Sequence, residues 1–295
     1  MLRRFDMYIP EDLNDLLTYL DTHQSGVQLI ANGSDLINRI QRREVNVGIL
    51  VDLSGLSEFK FITKDDNTIR IGALTTIHEL AASQVLGSRY DVFREVASKF
   101  GGPAIVNVAT VSGNLCAASS SEDLIPIFLA LDAKVKVTSK NGERVISIED
   151  FLKNKRQTVL LPNEIMSEIM FKEFDEQSTC AFEKIGMRNS LIIAFLNCAV
   201  YMKIDTTTNH VKTIRVALNR VSDKIPARAK KTENVLEGKK LSEQFIEIAM
   251  ATLRSELKLS SDFRATKEYR DDVAPILLKR AIINCTEKLG ERLDV

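Results

Sequence analysis

The order in which apolar periodicities follow one another constrains this chain more than any other feature of its sequence. "PEDLNDLLTYLDTH" places Leu13, Leu16, Leu17 and Leu20 on one helical stripe behind an acidic first turn. Gly26 then leads into the apolar "VQLIA", a predicted strand that runs into "NGSDL". After one basic helix or turn comes a second apolar run, "VGILVDLS", so the first unit reads strand, turn, helix, strand: a small α/β unit. From Leu56 the rhythm changes. "FKFITKDDNTIRIGALTT" reads as a hairpin turning at "KDDN", with Ile69 and Ile71 alternating with polar neighbours. "IHELAAS" and "DVFREVASKF" read as helices, and "AKVKVTSKNGERVISIEDFL" as a second hairpin with Asn-Gly at its turn.

The chain becomes polar around Glu173 to Thr179, where a domain boundary is expected. Beyond it "CAFEKIGM", "NCAVYMKID" and "KTIRVALNRV" read as three strands, the last two joined by "TTTNH". Helices from Ala229 and Ser242 follow, then a long one over "VAPILLKRAIINCTEKLGERL". Strands followed by helices predict an α+β domain with its helices on one sheet face. The expected division is 1–175, with subdomains about 1–55 and 56–175, and then 176–295.

Forty basic residues balance forty acidic ones, which offers no global electrostatic reason to bind nucleic acid or an anionic membrane. The densest basic run, "ARAKKTENVLEGKK", is interleaved with Glu and Asn and reads as a solvated helix face. No apolar run reaches membrane-spanning length, and "MLRRFDMYIPEDL" lacks the core and cleavage site of a secretory signal, so a cytoplasmic protein without membrane insertion is expected. Cys116, Cys180, Cys198 and Cys285 lie far apart, and His23, His78 and His210 are scattered. A metal or iron–sulfur site held by this chain alone is therefore not expected. Redox chemistry here needs an organic cofactor or a partner chain.

Two short polar loops stand out. In "VQLIANGSDLI" a strand ends in Ala31-Asn32-Gly33-Ser34-Asp35 before a helix; Asn and Gly tolerate left-handed backbone, so successive N–H groups can point inward as an anion nest. Ser34 or Asp35 can cap the helix, and Ser34 can instead donate to a phosphate oxygen. In "NVATVSGNLCAASSSEDLIPIFLALDA", Gly113 permits close backbone approach while Thr110, Ser112 and Asn114 put short polar groups within reach of an anion. Neither loop has a lysine, so a diphosphate here would rest on amides, hydroxyls and helix termini rather than salt bridges. The P-loop and G-x-G-x-x-G patterns are absent.

"ANGSDL" and "TVSGN", with "GGPAIVNVAT" before the second and "LALDA" after it, resemble the FAD-binding medium subunit of the molybdenum hydroxylases, the family of xanthine and carbon monoxide dehydrogenases. The family patterns are A-G-G-[ST]-D-L and T-[IV]-G-G-N; here Asn32 and Ser112 each replace a glycine. Asn is the best non-glycine residue where φ must be positive, and Ser retains a donor. The resemblance extends through "IRIGALTT", the K-x-x-x-R segment at Lys184 and Arg188, "IPARAKKTENVLEGKKL" and "YRDDVAPILLKRAI", covering essentially the whole chain in order.

The resemblance implies a two-part FAD-binding domain of the vanillyl-alcohol-oxidase/PCMH type, followed by a smaller α+β domain. It also implies that Leu29, Ile30, Ala31, Asn32, Gly33, Ser34, Asp35 and Leu36, with Thr110, Val111, Ser112, Gly113 and Asn114, clasp the FAD pyrophosphate and ribityl end. Asp123 matches an acidic residue near the flavin, although it also suits a helix N-cap. Phe100 matches an aromatic stacked on the isoalloxazine, Ile165 an apolar contact, and Lys184 a cation near the ring. On their own residues, Phe100 would read as core and Lys184 and Arg188 as exposed charges. No catalytic side chain and no metal ligand is implied on this chain. The implied partners are a small [2Fe–2S] subunit, a large molybdenum-cofactor subunit, and NAD+ or another electron acceptor. A stand-alone flavin oxidase and a flavin-free interaction subunit remain alternative readings.

Overall fold

The computed structural model describes residues 4–187, 193–219 and 227–290. Its first unit runs β1 (Asp6–Tyr8), α1 (Leu13–Thr22), β2 (Val27–Ile30), α2 (Leu36–Gln41) and β3 (Ile49–Asp52). The strands form a parallel sheet in the order β1-β3-β2. Asp12 caps α1 by accepting from Asp15 N–H at 2.8 Å, and the leucine stripe buries Leu16 and Leu20 in one core with Val51, Leu56 and Phe59. The strand β1 was not expected, because three residues are too short to show a period.

In the second unit, β4 (Ile62–Asp65) and β5 (Thr68–Gly72) pair about Asp66 and Asn67, both at positive φ, as the backbone twist of a two-residue hairpin requires. Five helices follow: α3 (Ile77–Ala82), α4 (Val92–Phe100), α5 (Pro103–Val106), α6 (Val111–Ala117) and α7 (Leu124–Ala130). Then come the hairpin β6 (Lys134–Ser139) and β7 (Gly142–Ser147), α8 (Ile148–Phe151), the ribbon β8 (Leu152–Asn154) and β9 (Gln157–Thr158), and β10 (Ile165–Lys172). The main sheet has the order β4-β5-β10-β6-β7 and is antiparallel throughout. Its central strand, β10, went unread in the sequence. The strand is buried on both faces, so "IMSEIMFK" shows no alternation.

The third unit has β11 (Ser178–Ile185), β12 (Leu196–Asp205), β13 (His210–Asn219) and β14 (Ala227–Arg228) side by side in chain order. It ends with α9 (Lys230–Leu236), α10 (Glu243–Glu256) and α11 (Lys267–Lys288). Ser242 caps α10, as its sequence predicts. The last helix starts nearly two turns before its apolar run, because Thr266 caps it by accepting from Tyr269 N–H. Alternation along β12 sends Cys198, Val200, Met202 and Ile204 into the core with α9–α11, and Ala199 and Tyr201 toward α7. The C-terminal helices therefore cover one sheet face, as an α+β reading requires.

The apolar "LIPIFLA" is the whole of α7, and all seven of its residues are buried. It lies between the five-stranded sheet and the C-terminal sheet, in one core with Phe171, Phe182 and Ala217. Pro126 sits in the first helical turn, where its missing N–H breaks no intrahelical bond. Among the described residues, no helix is long and apolar enough to cross a membrane.

Candidate functional site

The loop after β2 is an amide-rich turn. Gly33 adopts φ +75, and a Cβ there would also fall 2.8 Å from Ile37 Cγ1, so both backbone and space ask for glycine. Asn32 does not share the positive φ expected of it. Its side chain does something else: Nδ2 donates to Val108 O at 2.8 Å, joining this loop to the segment before α6. Neither Ser34 nor Asp35 caps α2 with its side chain. The Asp35 carboxylate instead accepts from Arg156 Nη1 at 2.9 Å, because the β8–β9 ribbon delivers a guanidinium to that side. Among the described residues, the N–H groups of Asn32, Gly33, Ser34 and Asp35 find no protein acceptor.

The second loop differs from its expectation. Thr110 is the N-cap of α6, and its Oγ1 accepts from Gly113 N–H at 3.1 Å. Val111 N–H donates to Thr75 O and Ser112 N–H to Ala73 O, both at 2.9 Å, which ties the turn to the end of the β5 segment. The Asn114 side chain donates to Glu122 Oε2 and accepts from Leu124 N–H at 3.2 Å. The short polar groups of this loop thus serve the fold first. Gly113 supplies a flat wall, since a Cβ there would meet only Thr110 Oγ1, at 2.8 Å.

The two loops enclose a narrow cleft of about 130 Å³ that reaches from Leu29 to Leu36 on one side and to Thr110 and Gly113 on the other. It continues into a wider compartment of about 350 Å³, to which Ser34, Asp35 and Gly113 also belong. Phe100, Asn114 and Asp123 line that wider part. Among the residues singled out in the sequence, Val111, Ser112, Ile165 and Lys184 do not line either part. Val111 is core, and Ser112 is buried behind Gly113. Ile165 is buried in the core of the first unit, and Arg188 lies outside the described residues.

Lys184 is not an exposed charge. Its ammonium is almost fully enclosed, donating to Asp123 Oδ2 at 2.5 Å and to Lys99 O at 2.8 Å. Asp123 occupies the N-cap position of α7 without capping it, since its carboxylate accepts from Lys184 and, at 2.8 Å, from Asn197 Nδ2. Burial raises the Asp123 pKa, and the Lys184 charge opposes that rise.

Among the cleft residues without an expected role in the sequence are Arg39, Arg156 and Glu122. Arg39, one turn into α2, lines both compartments; its Nε is buried without a hydrogen bond, though it lies 3.7 Å from Glu44 Oε2 in an ion pair. A cation therefore does stand beside the loops, though the loops contain none. Its signal was present: Arg39 lies four residues after Asp35, on the same helix face. Arg156 reaches the cleft from a distant ribbon, and no local pattern announces it. Glu122, beside the chosen Asp123, is half-buried and lines the cleft. Burial first, and then the Asp35 charge, push its pKa up to about 8. Cys116, in the narrow part, is held as a neutral thiol by burial, its pKa raised to about 12.

These residues fit a dinucleotide. Unpartnered amides, a guanidinium N–H that makes no hydrogen bond and two glycines whose Cβ would crowd the turns are what a diphosphate needs from a protein. Comparison with known proteins agrees. Residues 3–171 match the family model "FAD binding domain in molybdopterin dehydrogenase", and residues 181–285 match "CO dehydrogenase flavoprotein C-terminal domain". The chain is 26% identical over 292 residues to the nicotinate dehydrogenase FAD-subunit of Eubacterium barkeri, covering 98% of each. It is 27% identical over 269 residues to the xanthine dehydrogenase FAD-binding subunit of Escherichia coli O157:H7, covering 90% of this chain and 91% of that one. Among solved structures, carbon monoxide dehydrogenase from Hydrogenophaga pseudoflava superposes with a TM-score of 0.92 at 25% identity, over 98% of this chain and 99% of that one.

Proposed function

Given that this chain belongs to the FAD-binding medium subunits of the molybdenum hydroxylases, we propose that it passes electrons from the [2Fe–2S] clusters of a small partner subunit to NAD+ or another acceptor. The complex is of the xanthine dehydrogenase type, cytoplasmic, with its molybdenum cofactor on a large third subunit. FAD is the cofactor of this chain; when bound it supplies a ring that takes up electrons and releases them singly or as hydride. The observation that carries the placement is the row of unpartnered amides from Asn32 to Asp35, facing Gly113 across the narrow cleft.

In this reading the chain binds and orients rather than acting as acid or base. The Asn32–Asp35 amides and Arg39 hold the diphosphate, and the Thr110 hydroxyl, which uses a lone pair to cap Gly113, keeps its proton to donate. Phe100 and Asp123 line the wider part, where they would hold the ring and orient the flavin end. Lys184, which pairs with Asp123 behind the cleft wall, would act on the ring through Asp123. Ser112 and Ile165 support the walls from behind. Arg42 and Arg264, in the wider compartment, suit an anionic acceptor such as a pyridine dinucleotide.

The test is co-purification of the chain with its small and large partners, followed by anaerobic titration. FAD should be present one to one, lose its visible band on adding a purine, and regain it with NAD+. A band that responds to aldehyde or carbon monoxide but never to a purine overturns the xanthine dehydrogenase type. A colourless chain that cannot be reconstituted overturns the flavin site.

A further inference from the structure

Glu122 occupies an unusual position for an acid. Its Oε2 accepts from Asn114 Nδ2, whose own carbonyl receives Leu124 N–H, so the carboxyl is tied to the start of α7. Its backbone carbonyl accepts from Asn219 Nδ2 at 2.6 Å, which fixes the residue to β13. The residue lines the wider cleft compartment together with Asp35 and Asp123. Among the described residues, no Lys, Arg or His forms an ion pair with it within 4 Å. The charges that bear on it most are Asp35 from the α2 end, Asp123 beside it, Arg156 from the β8–β9 ribbon and Lys184 from β11; Arg39, Arg42, Glu44 and Arg264 line the same compartment, with Arg39 and Arg42 paired to Glu44 and Arg264 to Asp262. Arg156 and Lys184 are already engaged by Asp35 and Asp123.

An ionised carboxylate placed there would face an anionic diphosphate with no cation of its own, whereas a carboxylic acid has an O–H to donate. We propose that Glu122 meets FAD as a carboxylic acid, donating one hydrogen bond into the cleft, so that FAD binding to this chain requires one proton on Glu122. The inference rests on FAD lying in this cleft. Its pKa of about 8 in the free chain puts the transition within reach of ordinary buffers. Occupation of the cleft removes more water from the group and pushes in the same direction.

The experiment is a titration of the flavin-stripped full chain with FAD, read by flavin fluorescence, from pH about 6.5 to 9.5. For the wild type, the Kd should be flat up to pH about 8 and then rise about tenfold per pH unit, as one linked proton demands. In Glu122→Gln, the amide oxygen keeps the bond from Asn114 while the NH₂ donates permanently, so Kd should stay flat and be tighter than wild type at the alkaline end. A flat wild-type curve, or a Glu122→Gln curve that rises like the wild type, overturns the proposal. Gly113→Val, with folding checked by circular dichroism, keeps the two readings apart. Retained FAD in that variant sinks the placement of the cofactor, whereas its loss alongside a flat wild-type curve sinks only the proton.

Discussion

Replacing Lys184 by methionine isolates the buried ion pair behind the cleft. The methionine keeps an unbranched stem but removes the ammonium, and with it the bonds to Asp123 Oδ2 and Lys99 O. Asp123 is then a buried carboxylate held by Asn197 alone. Both side chains are almost fully enclosed, 1% and 6% exposed, so water cannot replace the lost partner. Removing one member of such a pair costs about 3–5 kcal/mol, far more than the ~1 kcal/mol or less of an exposed pair. The loss depends on pH in a defined direction. Burial already raises the Asp123 pKa against the opposing Lys184 charge, and without that charge it rises further. A carboxyl whose folded pKa exceeds its unfolded value, near about 3.9, costs nothing below that value and costs progressively more as pH climbs toward the folded pKa. The difference between Lys184→Met and wild type should thus be small near pH 4 and grow as the pH rises to neutral. Urea unfolding of the flavin-free chain reads it, by far-UV circular dichroism because the sequence has no tryptophan. Adding Asp123→Asn should recover most of the loss and abolish its pH dependence. A loss under about 1 kcal/mol at neutral pH, or an equal loss at both ends, would show that the pair is solvated and the reasoning wrong.

Two further substitutions separate the walls of the cleft. Asn32→Ala removes the bond that joins the two loops, worth about 1 kcal/mol; FAD Kd should rise about fivefold with little change in urea midpoint, and unchanged binding would deny the staple a role. Arg39→Met keeps the apolar stem but deletes the Nε that makes no hydrogen bond; FAD should bind about tenfold more weakly and with less salt dependence, and a salt response equal to wild type would remove Arg39 from the diphosphate.

Much of this architecture follows from local chemistry and was legible in the chain. Leu16 and Leu20 announced α1, Asp66-Asn67 the first hairpin, and Ser242 the start of α10, because each signal lies within a few residues of its effect. The loops at Gly33 and Gly113 were also legible, since special backbone conformation and close approach select glycine whatever the rest of the fold does. The side-chain roles around them were not. Asn32 bonds across 76 residues to Val108, Lys184 across 61 to Asp123, and Arg156 across 121 to Asp35. No periodicity records such pairings. The strand β10 was hidden for the opposite reason: burial on both faces erased the alternation that marks a strand. The sequence by itself determined most of the order of elements, β1 and β10 excepted, the α+β class and the two glycine turns. Only the tertiary structure decided which polar groups of those turns serve the fold and which stay free for a ligand. That choice depends on where α7 and the β8–β9 ribbon pack, and a buried donor takes whatever acceptor the packing brings to it.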